Sequence, residues 1–399
     1  MFRSALASLA SPALHDAESD PERHATWLEL FFDLVFVVAV AELGHLLAEN
    51  LTPGGIVEFA ALFVPVWWVW ITHSYYGDVF DDGDAVYPLA TLATMFGVVV
   101  WSVTFHGALH GGSVGYVLVY LALRALSVGL YLFAASTTPE ARTLARRFAA
   151  GYSLGLALWV ASLAVPEPLR FGLWAIGLAV EALSSPVVYV TLPDVPAQVS
   201  HMDERFGLFT IIVLGEAIVA VAAGTAEVEW ALAPALAATC GFVVAVCLWW
   251  LYFEYSDATV IDRALVSDAR GLTRSFVYGY GHLALFASIV ATGVGIGAVI
   301  DAAAASAALS TSARIVLCGG LGVFLLGLIV VQWAAVQPVA GATAAVRLGA
   351  AAAFLLVGVV GVGLPPSILL AGLTALVLCV LGSELVRARR GVAGVEAEI

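Results

Sequence analysis

His24-Ala25-Thr26-Trp27-Leu28-Glu29-Leu30-Phe31-Phe32-Asp33-Leu34-Val35-Phe36-Val37-Val38-Ala39-Val40 opens an apolar run with two carboxylates at its mouth. About 20 predominantly apolar residues suffice to cross a bilayer as a helix, and this run continues to residue 48. Glu29 and Asp33 are four residues apart, so a helix carries both on one face. Two readings follow. Near the lipid headgroups, where ionisation costs little, the pair only fixes the depth of the helix. Facing the protein interior, it touches an ion, a proton or a polar substrate.

The rest of the chain agrees with the opening stretch. Of 399 residues, 62% are hydrophobic and 12% charged, and the mean hydropathy is +0.99. That composition demands an all-α polytopic membrane protein embedded in the lipid bilayer. The formal net charge is -14, and all 16 basic residues are arginine. Without lysine there is no Schiff-base retinal or pyridoxal chemistry and no Walker A loop, so no cofactor is expected. An acidic chain with no basic face also makes nucleic acid an unsuitable partner. Cys240, Cys247, Cys318 and Cys379 lie in apolar runs without a CxxC pair and read as packing residues.

Breaking the chain at polar, Gly and Pro punctuation gives about twelve transmembrane helices. The expected spans are 27–48, 56–76, 86–108, 115–135, 145–165, 171–191, 206–225, 231–253, 276–299, 314–335, 345–363 and 365–385. With the amino terminus in the cytoplasm, thirteen arginines fall at inner ends, among them Arg142, Arg146, Arg147, Arg205, Arg347 and Arg387. Only Arg170 and Arg314 fall outside. This bias places a multi-pass chain in the plasma membrane with both termini cytoplasmic.

Landmarks recur at an offset of roughly 180 to 200 residues. Phe31-Phe32-Asp33-Leu34-Val35 parallels Leu208-Phe209-Thr210-Ile211-Ile212, and Trp67-Trp68-Val69-Trp70 parallels Trp249-Trp250-Leu251-Tyr252. Arg147 parallels Arg347, and Pro166 and Pro168 parallel Pro365 and Pro366. The expected organisation is a cytoplasmic tail (1–23), two parallel six-helix repeats (24–195 and 196–386) and a second tail (387–399). Six helices per half keep both repeats in one orientation, as in transporters with a central site between halves.

Charges deep inside spans are the strongest functional pointers, since each costs roughly 2.5–3.5 kcal/mol at the bilayer centre. Arg124, Glu181 and Glu216 all lie near mid-span. Arg124 is expected to pair with one of the two glutamates, either as a static pin or as an ion or proton site. Gly215 beside Glu216 would allow close helix approach. Glu42 and His45, three apart on the first helix, share a face on the side nearly opposite Asp33. His73, Asp78, Asp81, Asp82 and Asp84 gather oxygen ligands suited to Mg²⁺ or Ca²⁺. Their spacing does not match an EF-hand, and a solvated acidic turn explains them equally. Trp67, Trp68, Trp70, Trp249 and Trp250 read as an aromatic belt at the membrane interface.

The stretches Trp27-Leu28-Glu29-Leu30-Phe31-Phe32-Asp33-Leu34-Val35-Phe36 and Glu204-Arg205-Phe206-Gly207-Leu208-Phe209-Thr210-Ile211-Ile212-Val213-Leu214-Gly215-Glu216 resemble signatures of the bacterial and archaeal low-temperature requirement protein A (LtrA) family. The resemblance covers nearly the whole chain, and the family takes its name from a cold-growth phenotype rather than an activity. The chain departs from the family pattern at Gly77-Asp78-Val79-Phe80-Asp81, where the resemblance leads one to expect Asn-Arg before the Phe-Asp pair.

Three functions remain. The first is a transporter or channel for a small ion or solute, coupled to protons or cations and built around Asp33, Glu216, Arg124 and Glu181. The second is an intramembrane lipid-modifying enzyme with a divalent metal. The third is a non-transporting membrane-stress or assembly factor. No HExxH or Cys/His pairing is present, which argues against the enzyme. The sequence sets no oligomeric state.

Overall fold

The computed structural model describes residues 26–80, 85–192, 202–226, 231–254, 269–335 and 341–396. These residues form twelve α-helices, joined at one point by a short 3₁₀ turn at Phe105–Gly107. In chain order they are α1 (Trp27–Glu49), α2 (Pro53–Val79), α3 (Val86–Ser102), α4 (Ser113–Thr137), α5 (Arg142–Ser162), α6 (Leu169–Thr191), α7 (Met202–Ala226), α8 (Leu232–Phe253), α9 (Ala269–Ala304), α10 (Thr311–Ala335), α11 (Gly341–Val360) and α12 (Pro366–Glu396). Each expected span overlaps one helix. Ten helices are long and apolar enough to cross a membrane. The exceptions are α3, with 17 residues, and α5, whose first turns hold Arg142, Arg146 and Arg147. In hydrocarbon only a helix or a closed barrel satisfies every backbone donor and acceptor internally, so a multi-pass helical protein is the expected result of this composition.

Local signals set the helix starts. The Thr26 hydroxyl accepts from the Glu29 amide at 3.3 Å, and the Glu29 carboxylate accepts from the Thr26 amide at 2.8 Å. This reciprocal capping box begins α1. Pro53 and Pro366 occupy the first positions of α2 and α12, where a missing N–H costs nothing.

The chain divides into two compact units. One holds the described residues within 1–43, 61–208 and 266–272, and the other those within 44–60, 209–265 and 273–399. In the first unit α4 packs on α3 and α5, and α5 on α6. In the second α10 packs on α11, α11 on α12, and α12 on α8. Each core is apolar, and the outward faces carry exposed Leu, Val and Ile such as Leu118, Leu154, Val190, Leu356 and Ile368, as lipid contact requires.

Candidate functional site

The first unit buries two charge clusters. In one, Arg205 from the first turn of α7 reaches Glu29 and Asp33 on α1. Its Nε and Nη2 donate to the two Asp33 oxygens at 3.1 and 2.7 Å, and its Nη1 donates to Glu29 Oε1 at 3.1 Å. The planar guanidinium thus grips Asp33 as a fork. Trp70 Nε1 adds a bond to Asp33 Oδ1 at 2.7 Å, and Ser74 Oγ accepts from Arg205 at 3.1 Å. Asp33 is fully buried, and Glu29 and Arg205 nearly so. Arg205 thus gathers two buried carboxylates of α1 at one point.

In the other cluster, Arg124 at the middle of α4 meets Glu181 at the middle of α6, Nη2 to Oε2 at 2.7 Å, with both side chains fully buried. Trp68 Nε1 donates to the same Glu181 oxygen at 2.7 Å, and Arg124 Nη1 donates to Thr72 Oγ1 at 2.8 Å. The Arg124 guanidinium also lies over the Tyr152 ring, 4.6 Å from its centre, a cation–π contact. This cluster is incompletely bonded. Arg124 Nε, Glu181 Oε1 and the Tyr116 and Tyr120 hydroxyls are buried without a partner in hydrogen-bonding geometry. Each such group costs about 1–3 kcal/mol. Gly155 is required beside it, because a Cβ there would collide with the Glu181 side chain.

One helix serves both clusters. Trp68 and Thr72 are one turn apart on α2, and so are Trp70 and Ser74, while the two pairs are offset by two residues and face nearly opposite ways. In each pair the tryptophan N–H binds the carboxylate, and the hydroxyl one turn later accepts from the arginine. Between them His73 is buried, stacked on Phe32 at 4.6 Å and Tyr87 at 5.5 Å. The Thr91 hydroxyl donates to the Tyr87 carbonyl. It can therefore only accept from His73 Nε2, 2.9 Å away, which assigns the proton to that nitrogen.

Of the sequence candidates, Glu29 with Asp33 and Arg124 with Glu181 are thus brought together. Glu42 pairs with His106 at 3.1 Å, and His45 is exposed but close enough to act on the charge of Glu216. Glu216 is half-buried and is not the partner of Arg124. Gly215 faces open space, and a Cβ there would meet nothing within 4 Å, so it does not mark a close helix approach. Asp78 is buried at the end of α2, whereas Asp81, Asp82 and Asp84 lie outside the described residues. Among the described residues no three His, Cys, Asp or Glu come together as a metal site.

Several roles differ from the sequence reading. Trp67, Trp68 and Trp70 are buried, and the latter two are ligands of carboxylates; only Trp249 and Trp250 are exposed as a belt requires. Arg205 and Arg347, read as inner-end charges, are buried ion-pair partners. Arg314, read as an outer charge, is buried and donates to the Gly358 carbonyl at 2.9 Å. Cys379 is exposed, unlike the other three cysteines. The missed signal was the interleaved spacing Trp68-Val69-Trp70-Ile71-Thr72-His73-Ser74.

Residues 24–382 match the family model described as bacterial low temperature requirement A protein. An uncharacterized protein of Rhizobium meliloti (strain 1021) is 28% identical over 295 residues, which is 70% of each chain. No solved structure matches the chain.

Proposed function

The chain belongs to the bacterial low temperature requirement A family, and from that premise we propose that it is a transporter or channel moving a proton or small cation through its first unit. The observation that carries this reading is the gathering of two buried carboxylates, Glu29 and Asp33, on the buried Arg205. Ionisable groups buried in membrane helices are expensive and mark ion pathways and proton relays. The Arg124–Glu181 pair, near mid-span, supplies a second step. The proposal includes both termini in the cytoplasm of a plasma-membrane protein, on the strength of the arginine bias, and two parallel six-helix repeats. The sequential packing of α4, α5 and α6, and of α10, α11 and α12, supports the repeat.

The test is flux in proteoliposomes, with H⁺, Na⁺ and K⁺ measured separately and protein amounts matched. Asp33→Asn keeps the shape and removes the carboxylate charge. It is expected to lower flux about 100-fold, the lower end of what a positioned proton-transfer group contributes. Undiminished flux in Asp33→Asn, or no flux of any ion in the wild type, would exclude this function.

A further inference from the structure

The polar residues of α4 form a pattern that the two ion clusters do not explain. Ser113, Tyr116, Tyr120, Arg124, Ser127 and Tyr131 recur at intervals of three or four, which places them on one helical face, and every one is buried. The opposite face, with Ala122, Ala125, Leu126 and Gly129, lines an apolar recess of about 380 Å³. Polar residues of a bilayer helix face the protein interior, and here they form one continuous inward stripe. From Ser113 to Tyr131, a rise of 1.5 Å per residue makes the stripe about 27 Å long, close to the roughly 30 Å thickness of the hydrocarbon core.

Both ends of the stripe meet polar groups. Ser113 Oγ donates to Glu167 Oε1 at 2.8 Å and accepts from Arg170 Nη1, and the Glu167 side chain is 34% exposed. At the far end Tyr131 interacts with the Tyr152 hydroxyl, and its ring packs edge-on against Tyr76 at 5.1 Å. The Tyr152 ring lies under Arg124. In between, Tyr116 and Tyr120 stand among Trp101 and Trp159, with ring centres 4.0 to 6.3 Å apart. The two hydroxyls and both indole N–H groups are fully buried without a hydrogen-bond partner. Tyr120 acts on the Glu181 carboxylate, although their oxygens do not meet in bonding geometry.

We infer that this face of α4 is a proton path, with internal water as the ligand of the orphaned hydroxyl and indole groups. Water fits because it both donates and accepts, and it needs two to four polar partners in a buried site. The inference rests on the transport reading and names its ion. A proton arriving at Glu167 passes to the Ser113 oxygen, which releases its own hydrogen onward to water beside Tyr116. The same exchange repeats at Tyr120, so one proton enters and one leaves at each oxygen, with no oxidation or reduction. The fixed charge of Arg124 disfavours a free hydronium at mid-span. The proton crosses there on Glu181 Oε1, the oxygen that neither Arg124 nor Trp68 holds, and leaves toward Tyr152 and Tyr131.

The experiment uses the full chain in vesicles carrying a trapped pH-sensitive dye, with a potassium gradient and valinomycin to drive H⁺. Tyr120→Phe and Tyr116→Phe keep the rings and remove the hydroxyls. Each is expected to cut proton flux about tenfold or more, with the thermal melting of the purified protein unchanged; Tyr116 touches no ionised group and carries the test if Tyr120→Phe fails to fold. Wild-type proton flux that both variants retain in full would overturn the path and leave the transport reading standing. So would Na⁺ or K⁺ flux without proton flux in the wild type. Absence of all ion flux would overturn both.

Discussion

Each unit fastens a buried arginine to a buried glutamate, yet the two attachments differ. In the second unit Arg347 grips Glu384 as a complete fork, Nε to Oε1 at 2.7 Å and Nη2 to Oε2 at 2.6 Å, while Nη1 binds Gln332. In the first, Arg124 touches Glu181 through one nitrogen, and the second carboxylate oxygen has no hydrogen bond. The one-to-one fork, joined by Gln332, reads as a rivet between α10, α11 and α12. A single contact leaves one oxygen available. The contrast extends to the landmark positions. Where the first half has Asp33 and Trp70 bonded to one another, the second has Thr210 and Tyr252, and Tyr252 bonds His282 at 2.9 Å. At these positions the first unit places a charged residue, and the second places uncharged ones.

The largest way to break this comparison is Arg205→Ala. It removes the guanidinium that binds both Glu29 and Asp33 and should cost about 3–5 kcal/mol, seen as a large fall in the melting temperature of the purified protein. A change no larger than that of a surface substitution would mean the cluster is not held as an ion pair. Next, Arg347→Met combined with Glu384→Leu should leave stability unchanged or raise it by about 1–4 kcal/mol, because well-packed apolar groups replace a desolvated pair. A strong loss would show that the second pair does more than rivet. Trp70→Phe removes one bond to a buried carboxylate and is expected to cost about 1.5–3 kcal/mol. Trp250→Phe, at an exposed position, should stay within about 0.5 kcal/mol. The smallest effect concerns thiols: a membrane-permeant maleimide should label Cys379 under native conditions and spare buried Cys240, Cys247 and Cys318. Equal labelling of all four would contradict the packing.

Helix number and placement were legible because hydropathy over about 20 residues is a strong signal. All twelve expected spans coincide with helices, even the last pair, separated only by Gly361 to Pro365. The pairing of Arg124 with a mid-span glutamate was legible from depth, although depth alone left Glu181 and Glu216 equal. The Arg205 cluster was not. Position near a helix end makes an arginine read as a loop charge, and nothing in local sequence shows that residue 205 returns to residue 33. Trp68 and Trp70 were misread for a related reason. A tryptophan near a helix end suits the interface, and only the partner carboxylates show that these two indoles are turned inward.

The central claim is that the buried charges of the first unit move an ion while those of the second hold the fold. Glu181→Gln and Glu384→Gln make the same chemical change at the two pairs. Their proton flux, measured side by side in proteoliposomes at equal protein content, tests the claim most directly. The account predicts that Glu181→Gln loses nearly all flux and Glu384→Gln retains it. Equal flux in the two variants, whether both high or both low, would contradict it.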